Sequence, residues 1–102
     1  MATARQRLPD RRHSETFSVD CQGLRYTATI SRSDDGRLAE IFLSNHRNGS
    51  HADAVARDAA VVCSIALQFG APLDVIRKAL MRDSRGVASS PLGAALDRIA
   101  EQ

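Results

Sequence analysis

The polar and apolar positions change period once along the chain. Residues 16–19 (Thr-Phe-Ser-Val) open a period-two pattern, and Cys21, Gln22 and Gly23 then mark a turn. From Leu24 the alternation is regular, with Leu24, Tyr26, Ala28 and Ile30 on one face and Arg25, Thr27, Thr29 and Ser31 on the other. That is the pattern of a half-buried strand. Asp34, Asp35 and Gly36 tolerate the positive φ that a tight hairpin needs, and a return strand is predicted over 37–44. On it Ala39, Ile41 and Leu43 share one face, while Leu38 and Phe42 flank Glu40 on the other. A strand apolar on both sides expects cover on both sides. Glu40 is then either an edge charge that blocks strand pairing or a carboxylate at a subunit contact. Leu38, Glu40 and Phe42 are the candidate homodimer contact.

After the polar stretch 45–50, where Asn48-Gly49 signals a turn, the period lengthens to that of a helix. Ser50 is a good N-cap, and Asp53 stands where a carboxylate reaches back or meets the helix dipole. Val55, Ala59, Val62, Ala66 and Phe69 recur at spacings of four and three, with Val61 and Ile65 widening the stripe. Only Ser64 and Gln68 are plainly polar between Ala59 and Phe69, so this helix is expected to be buried nearly all round. Gly70 stops it. Pro72 opens a second helix over 73–81, with Val75, Ile76, Ala79 and Leu80 inward and Arg77, Lys78 and Arg82 outward. A loop over 83–89 leads to Ser90-Pro91, a cap followed by proline at the first helical position. The last helix carries Leu92, Ala95, Leu96 and Ile99. Strands first and helices after predict an α+β fold, an antiparallel three-stranded meander sheet followed by three helices packed on one face.

Composition bounds the picture. The 102 residues fit one domain, of the usual size of roughly 50–200 residues. Aromatic residues are 4% and Trp is absent, so Ala, Val, Leu and Ile must fill the core. No apolar run approaches the 18 or so residues of a membrane helix. The net charge of +2 is unevenly spread: Arg5, Arg7, Arg11 and Arg12 against Asp10 give the first thirteen residues +3. The domain is therefore placed at 14–102, near neutral, behind a disordered basic tail at 1–13. Such an arm is read as a solvated terminus. Phosphate contact is the alternative, but no aromatic residue is interleaved to stack on bases, and nucleic acid is not the expected partner. The tail also lacks the apolar run of a signal peptide, which makes the cytoplasm the expected location.

Candidate chemistry is sparse. His13, His46 and His51 match no zinc spacing. Cys21 and Cys63 have no CxxC partner, Cys63 lies in an apolar helical pattern, and Cys21 lacks a visible base. No catalytic residue, metal or cofactor is expected. The loop before the last helix offers the best ligand site: Arg82 and Arg85 flank Gly86, and Ser89 and Ser90 lead into a helix N-terminus, which favours an anion. Two arginines and two hydroxyls suit a phosphate or nucleotide.

Several segments together resemble the TSCPD domain: Glu40-Ile41-Phe42-Leu43-Ser44, Ser64-Ile65-Ala66-Leu67-Gln68-Phe69-Gly70, residues 72–80, and Asp83-Ser84-Arg85-Gly86 before Ser90-Pro91-Leu92. The resemblance covers about residues 24–100. That domain forms a C-terminal part of adenosylcobalamin-dependent ribonucleotide reductases and also occurs as small free-standing proteins. It implies an accessory role in deoxyribonucleotide synthesis, with a nucleotide or phosphate ligand or a reductase-related protein as partner. A homodimeric interaction module is the alternative. The reductase's radical chemistry belongs to its large barrel, and the Thr-Ser-Cys-Pro-Asp string that names the domain is absent here. No catalytic residue carries over, so the chain is not read as an enzyme by itself.

Overall fold

The computed structural model describes Arg5 and residues 13–102. In chain order the elements are β1 (Ser14–Cys21), β2 (Leu24–Arg32), β3 (Leu38–Asn45), α1 (His51–Gln68), α2 (Leu73–Ala79) and α3 (Pro91–Ala100). The strands form one antiparallel sheet in the order β1-β2-β3. The α+β meander read from the change of period is what the chain forms. The tail expected over 1–13 lies outside the described residues, apart from Arg5 and His13.

Local chemistry sets the turns. Gln22 and Gly23 both take left-handed backbone (φ 53° and 78°), which a two-residue hairpin with the right twist requires. In the second hairpin the pairing slips: Ser31 pairs with Glu40, but Arg32 pairs with Leu38. This bulge carries Leu38 into the core. Strict alternation placed Leu38 beside Glu40 and Phe42 on the outer face, and the bulge is why that fails.

The core face brings Val19 and Cys21 of β1, Tyr26, Ala28 and Ile30 of β2, and Ile41 and Leu43 of β3 against α1 and α3. Ile30, Leu43 and Leu96 are the largest side chains fully withdrawn from water. Each contributes about 1.5–3 kcal/mol by burial, which matters in a core with few aromatics.

The orientation of α1 departs from the sequence pattern. Val55, Val61, Val62 and Ile65 are 51, 52, 67 and 39% exposed, while Ser64 and Gln68 are 7 and 5% exposed. The face turned inward runs through Asp53, Ala56, Ala60, Ser64 and Gln68, at helical spacings of three and four. β3 explains the choice. It is an edge strand, and the backbone groups on its side away from β2 need partners. Ser64 Oγ accepts from Ile41 N–H and donates to Ile41 C=O, both at 2.9 Å. Gln68 Nε2 donates to Ala39 C=O at 3.0 Å, and Asp53 Oδ1 accepts from Asn45 N–H at 2.8 Å. A polar helix stripe thus takes the place of a fourth strand. Ala56 and Ala60, both fully buried, are small enough to let it approach.

The ends of α1 follow the expected capping. Ser50 Oγ accepts from Asp53 N–H at 3.1 Å. At the other end Gly70 (φ 100°) lets its own N–H reach Leu67 C=O and Ala71 N–H reach Ala66 C=O, both at 3.0 Å. α2 is shorter than predicted and peripheral, with Val75 exposed and no fully buried residue. In α3, a side chain at Gly93 would meet Ala88 Cβ at 3.0 Å, so glycine is what lets the preceding loop pack on the first turn.

Candidate functional site

The loop between α2 and α3 is closed on itself. Asp83 N–H donates to Val87 C=O at 2.9 Å, and Gly86 N–H donates to Asp83 C=O at 3.0 Å. The Asp83 carboxylate accepts from the N–H groups of Arg85 (2.8 Å) and Val87 (3.0 Å). Arg82 places Nη1 and Nη2 on the two oxygens of Asp97, both at 2.7 Å, and Nη1 also reaches Gly86 C=O at 3.0 Å. Arg77 Nε joins the same carboxylate at 2.8 Å. Such forked arginine–carboxylate pairs are among the stronger polar contacts. Arg82, helped by Arg77, holds the Asp97 carboxyl down to about 2, and Asp97 pushes the Arg82 guanidinium up.

The five residues singled out for anion binding therefore have different occupations. Arg82 and Gly86 belong to the Asp97 network. Ser90 Oγ caps α3 by accepting from Gly93 N–H at 3.2 Å. Ser89 is half-buried, with its N–H on Met81 C=O at 3.0 Å. Arg85 stands exposed at the loop tip. Asp97 was missed from sequence. It is the only acid in α3, facing a segment with arginines at 77 and 82, and that pairing was the available signal.

A different surface emerges on the outer side of α1. Val62 crests an apolar ridge with Val61 and Ile65 beside it. On one flank, α1, α2 and α3 enclose an open cleft of about 430 Å³, lined by Asp58, Ala59, Val62, Cys63, Ala66, Ile76, Leu80 and Leu92. On the other flank a cleft of about 460 Å³ runs between α1 and β3, lined by Arg5, Glu40, Phe42, Val61 and Ile65. Phe42, 46% exposed, is steadied by the Arg57 guanidinium 5.0 Å from its ring centroid. Arg57 Nε is itself held on Asp53 at 2.8 Å. The N–H groups of Gly49 and Asn45, then Arg57, keep the Asp53 carboxyl down at about 2. Of the three candidate dimer residues, Glu40 and Phe42 share this cleft and Leu38 is in the core.

The thiols and imidazoles do not converge. Burial pushes Cys63 up to about 11 and raises Cys21 as well, so neither thiol is activated as the thiolate. His46 is exposed with Nδ1 3.5 Å from Arg25 C=O, and His51 is exposed at the start of α1. Among the described residues no three His, Cys, Asp or Glu side chains come together to hold a metal. No described helix is long and apolar enough to cross a membrane.

Against known proteins, the TSCPD domain model matches residues 2–101. The chain belongs to the TSCPD domain family. Similar curated proteins are vitamin B12-dependent ribonucleotide reductases. That of Bradyrhizobium diazoefficiens is 36% identical over 70 residues, and that of Agrobacterium fabrum 33% identical over 70; each match covers 69% of this chain and 6% of the relative. That of Rhodopirellula baltica is 35% identical over 72 residues, 71% of this chain and 7% of the relative. This TSCPD chain thus spans a small fraction of the length of the reductases it matches. No solved structure matches it.

Proposed function

We propose that this TSCPD domain is an interaction module that docks on a protein of the ribonucleotide reductase system through the outer face of α1, with no catalysis of its own. The observation that carries this reading is the apolar ridge at Val62, with an apolar cleft on its α2 side. Contiguous apolar surface of this kind marks protein contacts more often than solvent-facing structure. The relatives support the choice of partner, because they carry the matching stretch within a reductase chain. Nucleotide or phosphate binding at Arg82, Arg85, Gly86, Ser89 and Ser90 is less well supported, since Asp97 already matches the charge of Arg82.

Sedimentation of the protein with a vitamin B12-dependent ribonucleotide reductase tests the reading. The wild type is expected to co-sediment and Val62→Glu to bind at least tenfold more weakly, with unchanged thermal stability. Equal binding by both, or none by the wild type, contradicts it. In parallel, ribo- and deoxyribonucleotides and inorganic phosphate are expected to leave the melting temperature unmoved. A nucleotide-selective rise, of several degrees at about 100 times Kd for a domain this size, would return the site to Arg82 and Arg85. A mass that rises with concentration and falls in Phe42→Glu would favour the homodimer.

A further inference from the structure

The cleft between β3 and α1 is reached by a residue nine positions ahead of the first strand. Arg5 lines it, and its Nε–H donates to Gln68 Oε1. Gln68 is almost fully buried, and its Nε2 is committed to Ala39 C=O at 3.0 Å. That bond orients the amide so that Oε1 is left to find another donor. A buried amide oxygen needs one, and the guanidinium supplies a charge-assisted bond.

Chain length and charge agree with this seat. Ser14, the first residue of β1, pairs with Ser31, which pairs with Glu40. Glu40, on the cleft, is thus two strand spacings from the root of the arm, about 10 Å. The nine-residue step from Arg5 to Ser14 can span up to about 30 Å, which exceeds that distance. The first thirteen residues carry +3 and the cleft carries the Glu40 carboxylate.

We propose that Arg5, nine residues ahead of β1, is the occupant of the β3/α1 cleft. Arg5 latches on Gln68 within the same molecule, beside Phe42, Val61 and Ile65, which stay partly exposed, and leaves the Val62 and Ala66 flank of α1 open. The latch does not depend on what docks at that flank.

Amide-resolved NMR of the full chain, with no partner present, tests it. Arg5→Ala is expected to shift the Gln68 side-chain amide pair and the backbone amides of Phe42, Val61 and Ile65. Arg5→Lys, which keeps a charged donor, is expected to retain most of the wild-type positions. The wild-type spectrum should not change on dilution. The proposal is overturned if Arg5→Ala perturbs only the residues around position 5. It is also overturned if the wild-type signals of the cleft move on dilution, because the Arg5 seated there then belongs to a second copy.

Discussion

The two faces of α1 invert the usual rule. The face against β3 carries Asp53, Ser64 and Gln68, and the face toward solvent carries Val55, Val61, Val62 and Ile65. Turning the helix over would bury four partly exposed side chains, a gain of about 3–6 kcal/mol at half of the usual 1.5–3 each. It would also strip partners from Ile41 N–H, Ile41 C=O, Ala39 C=O and Asn45 N–H. At about 1–3 kcal/mol for each buried group left unpaired, that loss amounts to about 4–12 kcal/mol. The edge strand decides the orientation, and the valines are left as surface.

The strongest way to break this contrast is to truncate apolar residues on both faces. Leu67→Ala, on the inner face, should cost about 2–5 kcal/mol in urea unfolding, and Val62→Ala, on the outer face, less than about 0.5 kcal/mol. Next comes the polar stripe: Ser64→Ala leaves two buried groups, Ile41 N–H and C=O, without their partner and should cost about 2–6 kcal/mol. An effect near zero would mean the edge of β3 is satisfied without α1. Acid sharpens the comparison further. Asp53 and Asp97 are both held at about 2 in the folded protein, below an unfolded value of about 3.9. Their stabilisation is present above pH ~4 and is lost as pH falls from there through 2. Melting temperature followed from pH 7 to pH 2 should therefore drop below pH 4, and Asp97→Asn should flatten part of that drop. The smallest effect belongs to Val62→Glu, whose stability should lie within about 0.5 kcal/mol of wild type.

Much of the fold was legible in the sequence because its signals are local. The alternation from Leu24 to Ser31, the Gln22-Gly23 turn, the Ser50 and Ser90 caps and the Gly70 stop each act within a few residues. The face of α1 was not legible, since hydrophobic periodicity measures which side is apolar and not which side a distant strand edge needs. Leu38 was misplaced for a related reason: a bulge leaves no mark in the alternation before it. The candidate site suffered from non-local pairing as well. Arg82 reads as an anion ligand from its neighbours, and its pairing with Asp97, fifteen residues on, is not visible in them. Cys63 as a core residue needed only its neighbours, and the structure places it in the core.

The most direct test of the α1 orientation is methyl NMR of the protein in the presence of a soluble paramagnetic probe. The methyls of Val55, Val61 and Val62 should broaden strongly, while those of Leu67 and Leu43 remain sharp. Protection of the three valines equal to that of Leu67 would show α1 buried by its apolar stripe, and the account of both its faces would fall.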